Sequence, residues 1–524
     1  MAGSWPPDGL VGKSRTITVR LGMFGPERYR CPASDALTAR GLRPGRPAAR
    51  KPEELEMFVN GPFMAAAGAI ERPRGELPPA GPTTGGRPAH DGVQRWTEHA
   101  LRTYAEAFPV DPELRPVRRP WVYRHRRLAD SGQEEAEFHI TAWGRQLESS
   151  DGRRRELRLP VTRLRARSAV ERAVAALVAA EGNADAQVEN VRVVQFALAD
   201  GRTDLKPLFE GTRAEALAAY RADGAPAVRA LLDSREYRPG TACVSCAVAP
   251  VCPALTRAPG LLGTNDLSRP RRVWSSTTGR AHRACPARGY LRGLRLPADD
   301  AVERSPAAER GRAVHAFLAE RHRRCPSTPC DHHIVSEWVP DGFRLPEEER
   351  RLGAELLRHH AEVCPLRVAD SRGEVRVEPR LVFDDTAADL VVLADPDLLY
   401  QDAGSWVWRE IKTSASGRPP RDVLAAYPQL ALAISVVGGA LGSPRARGRV
   451  ELEVLRPGGV DLRTFDPYDA ETREAAETLL RGQLSGWHAE TRFEAVPGPQ
   501  CTACEVARWC SAGQRRNAGQ EAAG

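Results

Sequence analysis

Asp397, preceded by Pro396, and the run Glu410-Ile411-Lys412, after twelve intervening residues, put two carboxylates and a lysine where a divalent cation and an attacking water would need them. Hard oxygen donors suit Mg²⁺ or Mn²⁺. A lysine beside them can orient a water or help deprotonate it. Together these groups outline hydrolytic phosphodiester chemistry. Taken alone, an acidic-x-Lys triplet is usually an exposed surface pair, so the reading depends on its surroundings.

The elements that must position these residues are legible on either side. Leu398-Leu399-Tyr400 and Trp406–Ile411 flank the turn Asp402-Ala403-Gly404, which predicts two adjacent antiparallel strands with Asp397 opposite Glu410. Alternation along the second strand places Glu410 and Lys412 on one face and turns Ile411 toward the core. Upstream, ERGRAVHAFLAERHRR reads as a helix with Val314, Phe317 and Leu318 on its apolar face. GEVRVEPRLVFD reads as a strand, and VLAAYPQLALAISVVGG as a helix with little polar surface. Strands flanked by helices make an α/β core.

A chain of 524 residues exceeds one ordinary core, so two domains are expected. The formal charge of +8 fits a polyanionic partner without requiring one. MAGSWPPDGL carries no basic-then-apolar signal, and no apolar run approaches the ~18 residues of a membrane span, so a cytoplasmic chain with no membrane partner is expected. GLVGKS at residues 9–14 is no phosphate loop, since its first glycine would fall on Pro7 and no strand precedes it. Eleven cysteines in a reducing compartment argue for metal or cluster ligation over disulfides.

The cysteines also expose a tandem repeat. RYRCPAS around Cys31 matches HRACPAR around Cys285, and CVSCAVAPVC (Cys243, Cys246, Cys252) matches CTACEVARWC (Cys501, Cys504, Cys510). The spacing from lone cysteine to trio is nearly the same in both halves. VRVVQFALADGRTDLKPL and GRVELEVLRPGGVDLRTF then pair as strand, turn and strand. The expected division is a first domain over 1–258, a turn-rich linker over 259–270, a second domain over 271–512 and a disordered tail over 513–524. The Pro/Gly-rich stretch from Arg72 to Gly92 reads as a flexible insertion. Four thiolates can bind a [4Fe–4S] cluster or a structural Zn²⁺. Cys325, Cys330, His332 and His333 lie in a Pro-rich segment expected to be a loop without metal, and Cys364 is expected to be buried without an evident partner.

Five motifs now stand in order: Cys285-Pro286; Gly311 with His315; Glu378; Asp397 with Glu410-x-Lys412; and Gln429, closed by the final cysteine trio. In this order the second half resembles the PD-(D/E)XK nuclease superfamily, in the RecB-like branch that includes AddB-type subunits and CRISPR-associated iron–sulphur exonucleases. The resemblance implies tandem restriction-endonuclease-like α/β domains, each a mixed central sheet flanked by helices and closed by four cysteines. It implies metal ligation by His315, Asp397, Glu410 and the carbonyl of Ile411, with Lys412 orienting water. Glu378 would assist through water, and Gln429 would hold substrate or Lys412. It also implies a [4Fe–4S] cluster on Cys285, Cys501, Cys504 and Cys510, with zinc as the alternative, and a second on Cys31, Cys243, Cys246 and Cys252. The family often adds a tyrosine where this chain has Ala433, with Tyr427 nearby instead.

Aligned at the hairpins, Gly152 falls on Gly404, so Arg145 replaces Asp397, Arg158 replaces Glu410, Pro160 replaces Lys412 and Trp96 replaces His315. Arginines cannot ligate a metal, so the first half is expected to be a silent copy whose basic substitutions could grip DNA phosphates. The expected function is a Mg²⁺- or Mn²⁺-dependent deoxyribonuclease, exonuclease-like on single strands or ends, in repair or in defence against foreign DNA. The alternative is a non-catalytic iron–sulphur DNA-binding scaffold that recruits a helicase. RNA remains open as a substrate.

Overall fold

The computed structural model describes residues 5–521 except 13–14, 27–29, 46–59, 72–82, 85–86, 118, 128–135, 184–186, 205, 299–304, 335–336, 368–372, 415–419 and 443–447. The chain divides into two compact units. One is Met1–Leu255 with Leu291–Pro297 and Trp509–Ser511; the other is Thr256–Tyr290, Ala298–Arg508 and Ala512–Gly524.

In the first unit, strands β1 (Thr16–Arg20), β2 (Leu114–Pro116), β3 (Val122–Arg127), β4 (Ala136–Thr141), β5 (Arg145–Ser149), β6 (Arg154–Val161), β7 (Asn190–Ala197) and β8 (Phe209–Thr212) form two sheets. The larger runs β8-β7-β6-β5-β2 and the smaller β1-β4-β3. Helix α1 (Pro32–Ala39) starts directly after Cys31, α2 (Asp91–Ala107) carries Trp96, and α3 (Ala169–Glu181) supplies the core. Ser168 and Glu171 cap the start of α3 reciprocally. Its Ala/Val/Leu run from Ala173 to Ala180 is buried against Leu157, Leu159, Val191 and Val193 of the sheet.

The second unit repeats the plan with β9 (Thr256–Arg257), β10 (Arg272–Trp274), β11 (Val375–Val377), β12 (Leu381–Asp385), β13 (Leu390–Ala394), β14 (Leu398–Asp402), β15 (Ser405–Thr413), β16 (Arg449–Arg456) and β17 (Gly459–Phe465). Its larger sheet runs β17-β16-β15-β14-β11 and its smaller β9-β12-β13-β10. In each unit the two central strands are parallel, β6 with β7 and β15 with β16, and the hairpin beside them is antiparallel. A parallel step needs a crossover, and helices supply it. The expected α/β class, with mixed sheets flanked by helices, is what the chain adopts.

Further helices are α4 (Pro286–Gly293), α5 (Pro306–Arg324), α6 (Glu347–Val363), α7 (Gln429–Ser435), α8 (Ala470–Ala489) and α9 (Ser511–Glu521). Ser305 caps α5 by accepting the Ala308 amide, with Pro306 at the first position. Ala313, Val314 and Leu318 of α5 pack with Leu356 and Leu357 of α6 on Ile411 and Leu455 of the sheet. On the opposite face, α7 and α8 cover Trp408, Val450, Leu452 and Val454. A Cβ at Gly311 would meet the Thr413 hydroxyl at 3.0 Å, so glycine lets α5 lie close to the end of β15.

Several expectations are corrected. The strand GEVRVEPRLVFD is two strands in different sheets, split at Glu378, whose φ is +46°, and Pro379. The helix from Val423 breaks at Tyr427-Pro428 before α7 and ends in a wider turn over Val436–Ala440. Residues 259–270 are not a free linker: Leu262 is wholly buried, and the Asp385 carboxylate accepts the amides of Gly260 and Leu262. Turn formers bend this segment, but Leu261 and Leu262 pack on the core. The tail is helical through Glu521, with Asn517 donating to the Cys501 carbonyl at 3.4 Å, because its Ala, Gln and Arg residues favour helix. The insertion expected from Arg72 to Gly92 lies largely outside the described residues; Asp91 and Gly92 open α2. Among the described residues, no helix is long and apolar enough to cross a membrane.

Candidate active site

The β14–β15 hairpin turns on Ala403 and Gly404, with φ of +48° and +77°. Two consecutive positive φ values define the tight turn whose twist matches paired strands. Leu398 pairs with Arg409, so Asp397, one step beyond, lies opposite Glu410. Asp397 Oδ2 accepts the Ile411 amide at 2.7 Å and Lys412 Nζ at 3.3 Å. Its Oδ1 lies 3.2 Å from His315 Nδ1 on α5. Glu410 Oε2 accepts Lys412 Nζ at 2.9 Å, and Oε1 accepts the Trp408 indole N–H at 2.9 Å. Asp397, Glu410, Lys412 and His315 are thus brought into one constellation. Trp408 escaped sequence reasoning; its place two residues before Glu410, on the same face of the strand, was the available signal.

Burial lifts the Glu410 carboxyl above its ordinary 4.5, against the pull of Lys412. Burial also acts to raise Asp397, but Lys412, His315 and the Ile411 amide overcome it and hold that carboxyl well below the usual range. The two carboxylates keep Lys412 protonated despite burial. Lys412 is therefore a hydrogen-bond donor here, which favours orienting water over accepting its proton. The carboxylates of Asp397 and Glu410 and the imidazole of His315 on α5 converge, and a hard divalent cation fits such a donor set.

His315, Lys412 and Glu378 line a cleft of about 1610 Å³ shared with Arg280, Arg312 and Arg323. Glu378 sits between strands: its amide donates to the Asp397 carbonyl at 3.1 Å, and its carboxylate takes the Arg323 guanidinium. Gln429 Oε1 accepts from Arg280 at 3.1 Å, which places it on that cleft residue. Ile411 gives its amide to Asp397 and its side chain to the core. Ala433 is buried in α7, while Tyr427 is half-buried before it.

Residues 273–511 match the PD-(D/E)XK nuclease superfamily. The matched segment contains Asp397, Glu410, Lys412 and His315, and this C-terminal region has the PD-(D/E)XK, restriction-endonuclease-like fold. The match points to nuclease chemistry, which in this superfamily usually uses divalent metals. No curated protein matches the chain. A solved structure titled "Crystal structure of SSO0001" is similar at 14% identity, over 38% of this chain and 84% of that chain, with a TM-score of 0.20. At that score the likeness carries no structural argument.

In each cysteine set, the lone cysteine and the first of the trio accept backbone amides at matching places. Cys31 Sγ accepts the Arg238 amide at 3.3 Å and Cys243 Sγ the Gly240 amide at 3.3 Å. Cys285 Sγ accepts the Val496 amide at 3.4 Å and Cys501 Sγ the Gly498 amide at 3.5 Å. Burial pushes the Cys243 thiol up to about 11, with Cys246, Cys252 and Cys31 adding to the effect. Burial likewise raises Cys504, to which Glu505 and Cys285 contribute. Cys510 is half-buried at the end of the second loop. Thiols that accept backbone N–H donors suit a thiolate-bound metal or cluster, whose sulphur charge those donors offset. The set Cys325, Cys330, His332 and His333 does not assemble. Cys330 turns inward to His322, His360 and Cys364, so Cys364 has partners after all.

In the first unit the corresponding hairpin pairs Arg145 with Arg158, in the register that sets Asp397 opposite Glu410. Arg158 is buried and donates to Glu156 at 2.6 Å and to the Tyr104 hydroxyl at 2.9 Å. Its guanidinium lies 4.1 Å from the centre of the Phe108 ring. Arg145 is paired with Glu71. Trp96 is buried and donates to Asn60 at 3.2 Å, and Pro160 is buried in β6. The expectation that these arginines grip DNA phosphates is corrected: internal carboxylates already neutralise them.

Proposed function

We propose that this chain is a Mg²⁺- or Mn²⁺-dependent deoxyribonuclease with one cutting site, in its second unit. The observation that carries the reading is the convergence of His315, Asp397, Glu410 and Lys412 beside an arginine-rich cleft. His315, Asp397 and Glu410 would hold the cation, which would polarise the scissile phosphate and make water a stronger nucleophile. Lys412 orients that water and stabilises the negative charge growing on the phosphate oxygens. Trp408 fixes one Glu410 oxygen, leaving the other directed to Lys412 and the cation. Glu378, tethered to Arg323, steadies the cleft side chain that meets the sugar-phosphate backbone.

The first unit acts as a silent copy that supports or positions DNA through other surfaces. The four-cysteine sites hold [4Fe–4S] clusters in a structural role, closing long loops; zinc is the alternative occupant. A RecB-like assignment favours single strands or ends, exonuclease-like trimming, and work in repair or defence beside a helicase. Incubating the chain with labelled single-stranded, duplex and RNA substrates, with Mg²⁺, Mn²⁺ or chelator, tests this reading. Metal-dependent DNA cleavage that vanishes in Glu410→Gln supports it. Cleavage that persists equally in Glu410→Gln, or none under any condition, would favour the DNA-binding scaffold.

A further inference from the structure

Behind the catalytic sheet lies a second cluster of metal-ligating side chains. His322 is in the last turn of α5, Cys330 lies in the loop that follows, His360 is in the last turn of α6, and Cys364 caps that helix. All four are buried, and one ligand atom from each lies within 4.8 Å of the others. His322 Nε2 is 3.4 Å from Cys330 Sγ and 3.9 Å from Cys364 Sγ. A tetrahedral zinc with bonds of ~2.3 Å to sulphur and ~2.0 Å to nitrogen sets its ligand atoms roughly 3.3–3.8 Å apart. The cluster is therefore the size of one ion; a multi-iron cluster would hold its ligands farther apart.

A hydrogen-bonded core would also gather such groups, and the state of His360 decides between the two. Its Nδ1 donates to Glu453 Oε1 at 2.6 Å, with both residues wholly buried. That bond leaves Nε2 as its ligand atom, and Nε2 is buried without a hydrogen-bond partner. A buried polar atom left unpaired is costly. Here it has the arrangement of a metal-bound imidazole steadied by a carboxylate. Glu453 is held in turn by Arg409 at 3.0 Å, and the Cys330 amide donates to Cys364 Sγ at 3.3 Å. We infer that His322, Cys330, His360 and Cys364 form a closed structural zinc site. Two thiolates and two imidazoles in a tetrahedral, fully protein-bound shell select Zn²⁺ over the oxygen-seeking Mg²⁺ and Mn²⁺.

The position of the site gives it a purpose. His322 lies seven residues, about two turns, beyond His315 on α5. Glu453 pairs with Ile411 across the β15–β16 register, between Glu410 and Lys412. An ion there would clamp α5 and α6 to the back of the strand that carries the carboxylate and lysine, fixing the height of His315.

The test uses the full chain purified without chelator. Metal analysis should find zinc, and a Cys330→Ser, Cys364→Ser double variant should lose one zinc per chain, whereas Cys501→Ser should keep that zinc. X-ray absorption at the zinc edge of the wild-type chain, which needs no variant to fold, should give a shell that contains nitrogen beside sulphur. Cobalt replacing the zinc should show tetrahedral bands with thiolate charge transfer. Zinc content unchanged in the double variant, a shell of sulphur alone, neither zinc nor cobalt uptake, or a Cys330–Cys364 disulfide in the unreduced chain would each overturn the proposal.

Discussion

Two hairpins, Arg145–Val161 and Leu398–Thr413, share a strand order, a parallel neighbour and a cross-strand register, yet the same pair of positions holds two arginines in one and two carboxylates in the other. In the first, the charges are spent inside: Glu71, Tyr104 and Glu156 absorb Arg145 and Arg158. In the second, Asp397 and Glu410 share one lysine, and that lysine lines a cleft with His315. One scaffold geometry can therefore carry a donor set suited to a cation in one copy and a set that needs none in the other. What separates the two is where charge is balanced, internally or by something bound.

The comparison can be broken or sharpened by substitution. The largest effect should come from Lys412→Ala, which removes the donor that organises both carboxylates; DNA cleavage should fall by ~10²–10³-fold, measured under single-turnover conditions. The matching change in the other hairpin, Arg158→Ala, should leave cleavage per folded molecule unaltered. It should instead destabilise the first unit by ~1–3 kcal/mol in denaturant unfolding, because buried Glu156 keeps Arg192 but loses one of its two arginines, and the Tyr104 hydroxyl loses a donor. If Arg158→Ala abolished cleavage without unfolding the chain, the first unit would not be silent. A smaller effect, ~10-fold weaker Mn²⁺ affinity, is expected from Trp408→Phe, which frees one Glu410 oxygen.

The pH response should separate the two carboxylates of the site. Asp397 has a depressed pKa in the folded state, so its ionisation stabilises the fold above the ordinary 3.8, and that contribution is lost as pH falls through the depressed value. Glu410 is shifted the other way, so its ionisation opposes folding as pH rises past 4.5. Without cation, Glu410→Gln should stabilise the chain at neutral pH and Asp397→Asn should destabilise it, read from melting temperatures in chelator. Equal signs would contradict the assigned electrostatics. A proton on Glu410 also competes with the cation, so metal affinity should fall on the acid side beginning above pH 4.5.

The β14–β15 hairpin was legible because a tight turn and strict alternation fix register locally, so the convergence of Asp397, Glu410 and Lys412 follows from a short window. The cysteine sets were legible because they recur. Glu378 was harder: a residue read as mid-strand proved to be the joint between two sheets, a change of direction that alternation does not encode. The cluster of His322, Cys330, His360 and Cys364 was missed because two helices and a loop supply it and each member alone looks like ordinary core. Only His360 and Cys364, four apart on one helix face, offered a hint. The leucines of 259–270 were overruled by their turn-forming neighbours, and burial of Leu262 settled the matter.

The most direct test of the account is a Mn²⁺ titration of the intact chain, followed by electron paramagnetic resonance, in the wild type, in Asp397→Asn with Glu410→Gln, and in Arg145→Met with Arg158→Met. One site lost in the carboxylate variant and kept in the arginine variant is the predicted result. Undiminished Mn²⁺ binding after both carboxylates are removed would contradict it.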